Sequence, residues 1–162
     1  MFKRTSVLVL AVLAIGICAA SAGAKAKGTK HSVTATVQLG TITSDSNFPA
    51  VGSSVTDAGI VKSRPGGRGA ETDTLKVTAT PAPGQLTLAG TAKLWLTGGI
   101  ETVKVTIQAT AAPDGSVSYT GSGKFLRGTG KYKGISGKVT FTGNSPANSG
   151  VVTLNVKGSA TY

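Results

Sequence analysis

The chain has 162 residues with one Cys and one His, and its 17 Lys/Arg against 6 Asp/Glu give a formal net charge of +11. The length accommodates one domain plus a targeting segment, and a single Cys excludes an intrachain disulfide and a Cys-based zinc site. The 23 glycines and the low charged fraction of 14% argue against a helical bundle, and 40% hydrophobic residues argue against a disordered chain.

Residues 1–24 are predicted to form a secretory signal peptide. Lys3 and Arg4 precede an uncharged apolar run over 7–20, which suits a signal core and is short for a membrane span. Small residues place the cleavage near 22–26 and leave a Cys-free domain over 25–162 that has no transmembrane span. The alternatives are a retained anchor and a lipoprotein attached through Cys18, although Ile17 stands where a lipoprotein needs a small residue.

The mature chain alternates apolar and polar residues with a period of two, the pattern of half-buried β-strands. Gly- and Pro-rich turns separate many of these runs, notably at 81–84 and 113–115. The segment 43–70 has the weakest pattern, and we predict one strand in it followed by a loop over 63–69. The predicted strands cover residues 32–39, 54–62, 74–79, 86–96, 103–108, 117–125, 135–141 and 152–162.

Eight sequential strands with one apolar face each predict an all-β fold, an antiparallel up-and-down barrel. A two-sheet sandwich is the alternative. Glycine on the apolar faces favours the barrel, because strands that coil to close a sheet need room at such positions. These glycines are residues 90, 121, 123, 137 and 158.

The most distinctive stretch is residues 121–143, GSGKFLRGTGKYKGISGKVTFTG, which repeats glycine around aromatic residues. It resembles the penultimate hairpin of allene oxide cyclase-like and dirigent-like barrels. It is more similar still to small secreted bacterial proteins that share its Gly-Thr-Gly-x-Tyr-x-Gly element. The resemblance implies an eight-stranded, calycin-like barrel with an apolar interior cavity. It does not imply the cyclase reaction, because residues 32–80 contain no matching motif, and no functional residue is carried over.

The glycines of this element also have a direct interpretation. We predict that Gly128, Gly130 and Gly134 adopt positive φ in a compact turn between two strands. A phosphate-binding Gly-x-Gly loop would need a following helix, and the pattern predicts none.

In an up-and-down barrel, the starts of odd strands and the ends of even strands meet at one rim. Glu71, Asp73, Glu101 and His31 share the inward parity of their strands and are predicted to point inward at this rim, as the mouth of the barrel. Such carboxylates can act as general acid and base, with His31 as a proton carrier. The favoured alternative is structural, since polar residues commonly mark where a core ends.

Two further residue sets are candidates for binding. Lysines on the outer parity are expected to be spread around the barrel, and the scarcity of aromatic residues among them argues against specific nucleic-acid binding. The candidates for contact with an apolar ligand are Trp95, Tyr119, Phe125, Tyr132 and Phe141. The candidates for contact with a polyanion are Arg64, Arg68, Arg127, Lys131 and Lys133.

The sequence therefore predicts a secreted or cell-envelope barrel that is not an enzyme. It binds a small apolar ligand or associates with an anionic polymer of the cell envelope, and it uses no metal and no cofactor. One alternative is a cyclase- or isomerase-like enzyme that works through the rim carboxylates. The other is a surface protein that associates with polyanions.

Overall fold

A computed structural model describes residues 28–162, so the predicted signal peptide over 1–24 and its cleavage near 22–26 lie outside the described residues. Each strand pairs antiparallel with its sequence neighbours and the first pairs with the last, which confirms the closed barrel and not the sandwich. A 3₁₀ turn, Gly130–Tyr132, lies in the connection between the sixth and seventh strands. The strands are β1 (Lys30–Ser44), β2 (Ser54–Arg64), β3 (Gly67–Ala79), β4 (Gln85–Leu96), β5 (Gly99–Ala111), β6 (Val117–Gly128), β7 (Ser136–Ser145) and β8 (Val151–Thr161).

The predicted loop over 63–69 is wrong. Strands β2 and β3 continue into it, with Ser63 paired to Gly67, so only Pro65 and Gly66 connect them. Main-chain hydrogen bonds do not depend on side-chain alternation, and therefore a ladder extends through residues that read as a loop. Strand β1 likewise extends to Ser44, into the segment where the pattern is weakest.

The barrel interior holds the hydrophobic core. Branched aliphatic side chains of the inward parity are almost completely buried, with Val37 and Val61 2% exposed and Val77 1% exposed. Burying one such side chain stabilises the fold by about 1.5–3 kcal/mol. The described chain begins and ends at the same end of the barrel, because Thr29 and Tyr162 exchange main-chain hydrogen bonds of 2.9 and 3.2 Å.

Inward glycines make room inside the barrel, as the sequence predicts. At Gly121, a Cβ atom would collide with the ring of Phe141 and with the main-chain oxygen of Thr106. At Gly158, a Cβ atom would collide with the main-chain oxygen of Lys138 on the neighbouring strand. The first position admits a large aromatic ring to the core, and the second permits close approach of two strands.

None of the helical turns among residues 28–162 reaches the length and apolarity that crossing a membrane as a helix demands.

Replacing Gly121 by Ala tests this crowding. We expect Gly121→Ala to lower the free energy of unfolding by about 1–3 kcal/mol, because the Phe141 ring must move. Urea unfolding followed by fluorescence measures the change. The control is Ser122→Ala on the outer face of the same strand, which should be almost neutral. Equal destabilisation by the two substitutions would contradict the crowding.

Candidate functional site

The two ends of the barrel are built differently, and one of them is closed by aromatic residues. Tyr132 is fully buried, and its hydroxyl donates a hydrogen bond of 3.2 Å to the main-chain oxygen of Thr97. The edge of its ring packs on Tyr162 at a centroid distance of 5.2 Å. Tyr162 in turn stacks on His31 at 4.5 Å. We call this end, where β1 starts and β8 ends, the closed end.

The glycine-rich element holds Tyr132 in place. Gly130 and Gly134 have positive φ angles of 56° and 83°, as predicted. Gly128 does not have a positive φ, so that part of the prediction is wrong. Its lack of a side chain serves another purpose, because a Cβ atom at Gly128 would collide with the main chain and Cβ of Tyr132.

The opposite end contains a cavity of about 310 Å³, which we call the large cavity. Residues of the loops 45–53 and 80–84 lie at its opening, namely Phe48 of the first loop and Gly84 of the second. Its wall is mainly aliphatic, and its polar side chains include Asp57, Asp73 and Tyr119. The aliphatic lining comprises Leu39, Val55, Leu75, Leu86, Leu88, Ile107, Ala109, Ala111, Val117, Val152 and Leu154.

A second cavity of about 60 Å³ lies deeper, toward the closed end. Glu71, Glu101, Phe125 and Phe141 line this small cavity. Asp73 lines both cavities and therefore lies where they adjoin. The small cavity has room for a few water molecules but not for an organic ligand.

Four carboxyl groups point into the barrel. Asp57 on β2 lies directly opposite Asp73 on β3 in the strand register, which puts their Cβ atoms about 5 Å apart. Glu71 and Glu101 lie at one level on either side of Leu94, since both pair with this residue of β4. No Lys, Arg or His lines either cavity.

Burial raises the pKa values of Glu71, Asp73 and Glu101. Burial, and then the charge of Asp73, raises the pKa of Glu71 to about 8. Burial, and then the charge of Asp57, raises the pKa of Asp73 to about 7. Burial also raises the pKa of Glu101 to about 7, against the opposing charge of Lys131. Near neutral pH the interior can therefore hold and release protons, which is what general acid–base chemistry requires of its groups.

The predicted catalytic set is brought together only in part. Glu71, Asp73 and Glu101 point inward and are buried, as expected. His31 lines neither cavity, because it stacks on Tyr162 at the closed end. The predicted mouth is also the wrong rim, since Tyr132 and Tyr162 fill that end and the large cavity opens at the other.

The aromatic candidates divide among different places. Tyr119 lines the large cavity, and Phe125 and Phe141 line the small one. Tyr132 belongs to the closed end and contacts no cavity, while Trp95 lies on the outer face and is 38% exposed.

Two residues that line the large cavity, Asp57 and Phe48, are not among the candidates predicted from the sequence. Asp57 follows the inward parity of Val55 and Val61, so the alternation of β2 contains the signal that places it inside. Phe48 belongs to a nine-residue loop without periodicity, and no sequence signal directs it to the opening.

The basic candidates Arg64, Arg68, Arg127, Lys131 and Lys133 are all exposed at the closed end. Lys131 also lies over the ring of Tyr132, with its Nζ 5.0 Å from the ring centroid.

The expectation that lysines are spread evenly around the barrel is wrong for three of them. Lys104, Lys124 and Lys138 occupy one register level on β5, β6 and β7, and each is exposed. Directly opposed like charges destabilise a sheet. We call these three residues the lysine row.

A scan against models of protein families finds no match, and a search of curated proteins finds no relative. The resemblance of residues 121–143 to the allene oxide cyclase-like barrels therefore stays a prediction. Within residues 28–162, no group of three or more His, Cys, Asp or Glu side chains is arranged to hold a metal ion.

The raised pKa values predict that the protein loses stability as the pH rises. An unfolded chain releases these protons at the ordinary pKa values of 3.8 for Asp73 and 4.5 for Glu71 and Glu101, whereas the folded barrel retains them to about 7–8. The unfolded state then binds fewer protons between these limits, so the free energy of unfolding falls across this range. Thermal or urea unfolding at several pH values measures the slope.

Glu71→Gln should reduce that fall between about pH 5 and about pH 9 by about 2 kcal/mol or more. The control is Asp114→Asn in an exposed turn. Hydrogen bonds from Ser116 lower the pKa of Asp114, so its effect lies at more acidic pH and the slope above about pH 5 stays unchanged. A Glu71→Gln slope equal to that of the wild type would contradict the burial of a proton at Glu71.

Proposed function

We propose that this protein is an exported, non-enzymatic β-barrel that binds a small, mainly apolar ligand in the large cavity. The observation that carries the proposal is a cavity of about 310 Å³ with an aliphatic wall and a few convergent polar groups. This volume lies at the lower end of the range for small-molecule sites, and such sites are typically apolar with a small polar set that orients the ligand.

The shape of the barrel supports binding at one end. Aromatic residues close the opposite end, so a ligand has access to the large cavity from the side of the loops 45–53 and 80–84. Phe48 adds an aromatic surface at this opening. Asp57 and Asp73 supply polar groups in this otherwise aliphatic lining that can orient a ligand.

Filling the cavity tests the proposal. Phenylnaphthylamine, a neutral apolar dye whose fluorescence rises in apolar sites, should bind the wild-type protein. In Ala109→Phe the new ring occupies the large cavity, so we expect the affinity for the dye to fall about tenfold or more. Fluorescence titration measures both affinities.

The matched control is Ala89→Phe, which places the same ring on the outer face of the neighbouring strand β4. It should retain the affinity of the wild-type protein, and circular dichroism checks that both variants fold. Equal dye binding by the Ala109→Phe and Ala89→Phe variants would place the dye outside the cavity and contradict the proposal.

A second candidate function is association with an anionic polymer of the cell envelope. The lysine row favours it, because three adjacent exposed cations form a line along which a linear polyanion can neutralise their repulsion. All carboxyl groups on the strands point into the barrel. The outer faces of the strands therefore carry no negative side chain that would weaken the positive potential of the lysine row.

Two triple variants with equal charge test the lysine row. One variant replaces the lysine row, Lys104, Lys124 and Lys138, by Gln. The other replaces by Gln three exposed lysines that lie apart from one another, Lys30, Lys76 and Lys93. The first variant should elute from a heparin column at roughly 0.1 M lower salt than the second. Identical elution would show that only net charge matters and would remove the support for a defined polyanion surface.

A further inference from the structure

The carboxyl groups of the described residues lie in two places, the interior of the barrel and the loops at its open end. Asp57, Glu71, Asp73 and Glu101 point into the interior. The remaining two, Asp45 and Asp114, lie in loops at the open end. None of the four loops at this end, residues 45–53, 80–84, 112–116 and 146–150, contains Lys or Arg.

The basic residues show the opposite distribution. The closed end contains Arg64, Arg68, Arg127, Lys131 and Lys133, and the strand lysines are exposed on the outer faces. A chain with a net charge of +11 therefore presents an opening and an interior that are acidic. This local potential attracts cations toward the large cavity although the protein as a whole repels them.

The carboxyl pair at the inner part of the large cavity has unused hydrogen-bonding capacity. Asp73 is only 4% exposed, and its Oδ1 atom is buried without a hydrogen-bond partner among the described residues. Oδ1 of Asp57, directly opposite in the register, is in the same condition. A buried acceptor without a partner lowers stability, so a donor that reaches both atoms is strongly favoured.

From this geometry, and on the basis of the proposed binding function, we infer that the ligand is a cationic amphiphile whose primary ammonium group binds between Asp57 and Asp73. Its apolar body lies against the aliphatic wall of the large cavity. An ammonium group supplies three hydrogen-bond donors and no acceptor, which matches two carboxylate acceptors in a site without any basic residue.

A neutral alcohol fits this site less well, and a carboxylate fits it worst. The alcohol offers one donor for two acceptors and leaves the charge of the pair uncompensated in an apolar surrounding. The carboxylate adds a third negative group beside the pair. Two other titratable groups act on the pair, Tyr119 on β6 and Glu71 on β3, and neither supplies a positive charge.

The test compares three ligands that share one alkyl chain. Octylamine, octanol and octanoate each displace phenylnaphthylamine from the wild-type protein near pH 8, where octylamine is protonated and Asp73 is mostly ionised. We expect octylamine to bind about tenfold or more tightly than octanol, and octanoate to bind most weakly.

Two variants then locate the preference. Asp73→Asn should bring the affinities for octylamine and octanol to within about twofold of each other. Asp57→Asn should have the same effect, and it takes the place of the first variant if Asp73→Asn does not fold. The matched control is Glu101→Gln on strand β5, which neutralises an interior carboxyl that lines only the small cavity and should keep the preference for the amine.

The outcomes separate this inference from the proposed function. Equal affinities for octylamine and octanol in the wild-type protein would overturn the ammonium site, while cavity binding would stand. Tighter binding of octanoate would also overturn it. Retention of the amine preference in Asp73→Asn and Asp57→Asn would place the ammonium group elsewhere and overturn the assignment of these residues. If neither the dye nor any of the three ligands binds, the proposed function fails as well.

Discussion

The pairing of β1 with β8 is the constraint on which the other features of this barrel depend. This ladder runs from Lys30 opposite Thr161 to Gly40 opposite Val151 and leaves the sheet without a free edge. Closure gives every strand residue either an inner or an outer position, and a slip of one residue would exchange the two faces. The core, the interior carboxyl groups and the exposed lysines are therefore all assigned by one register.

This register separates the charges of the protein. Lysines on the outer faces remain hydrated, whereas burial raises the pKa values of Glu71, Asp73 and Glu101. These buried carboxyl groups lower the free energy of unfolding at neutral pH, whereas aliphatic side chains at the same positions would not. Perturbed carboxyl groups beside a cavity are a common property of functional sites. The interior of the barrel therefore combines a hydrophobic core with carboxyl groups whose pKa values lie near neutral pH.

Side-chain alternation predicts the strands well because it reports directly which residues face the core. It places Glu71, Asp73 and Glu101 inside, and the same parity applied to β2 would have placed Asp57 there too. It does not reveal which end is closed, because that depends on how the turn at Gly130–Tyr132 directs one tyrosine over the barrel. The row of Lys104, Lys124 and Lys138 is also hidden, because it depends on the register between neighbouring strands, which the alternation within each strand does not report.

The hydrogen bonds between Thr29 and Tyr162 determine from which end of the barrel a fused linker would extend. Residues 28 and 162 lie side by side at the closed end, so a linker fused to either of them leaves the barrel on the side away from the large cavity. Barrels immobilised through such a linker would stand with their open ends facing the solution, so that the large cavity of every molecule has the same orientation on a solid support.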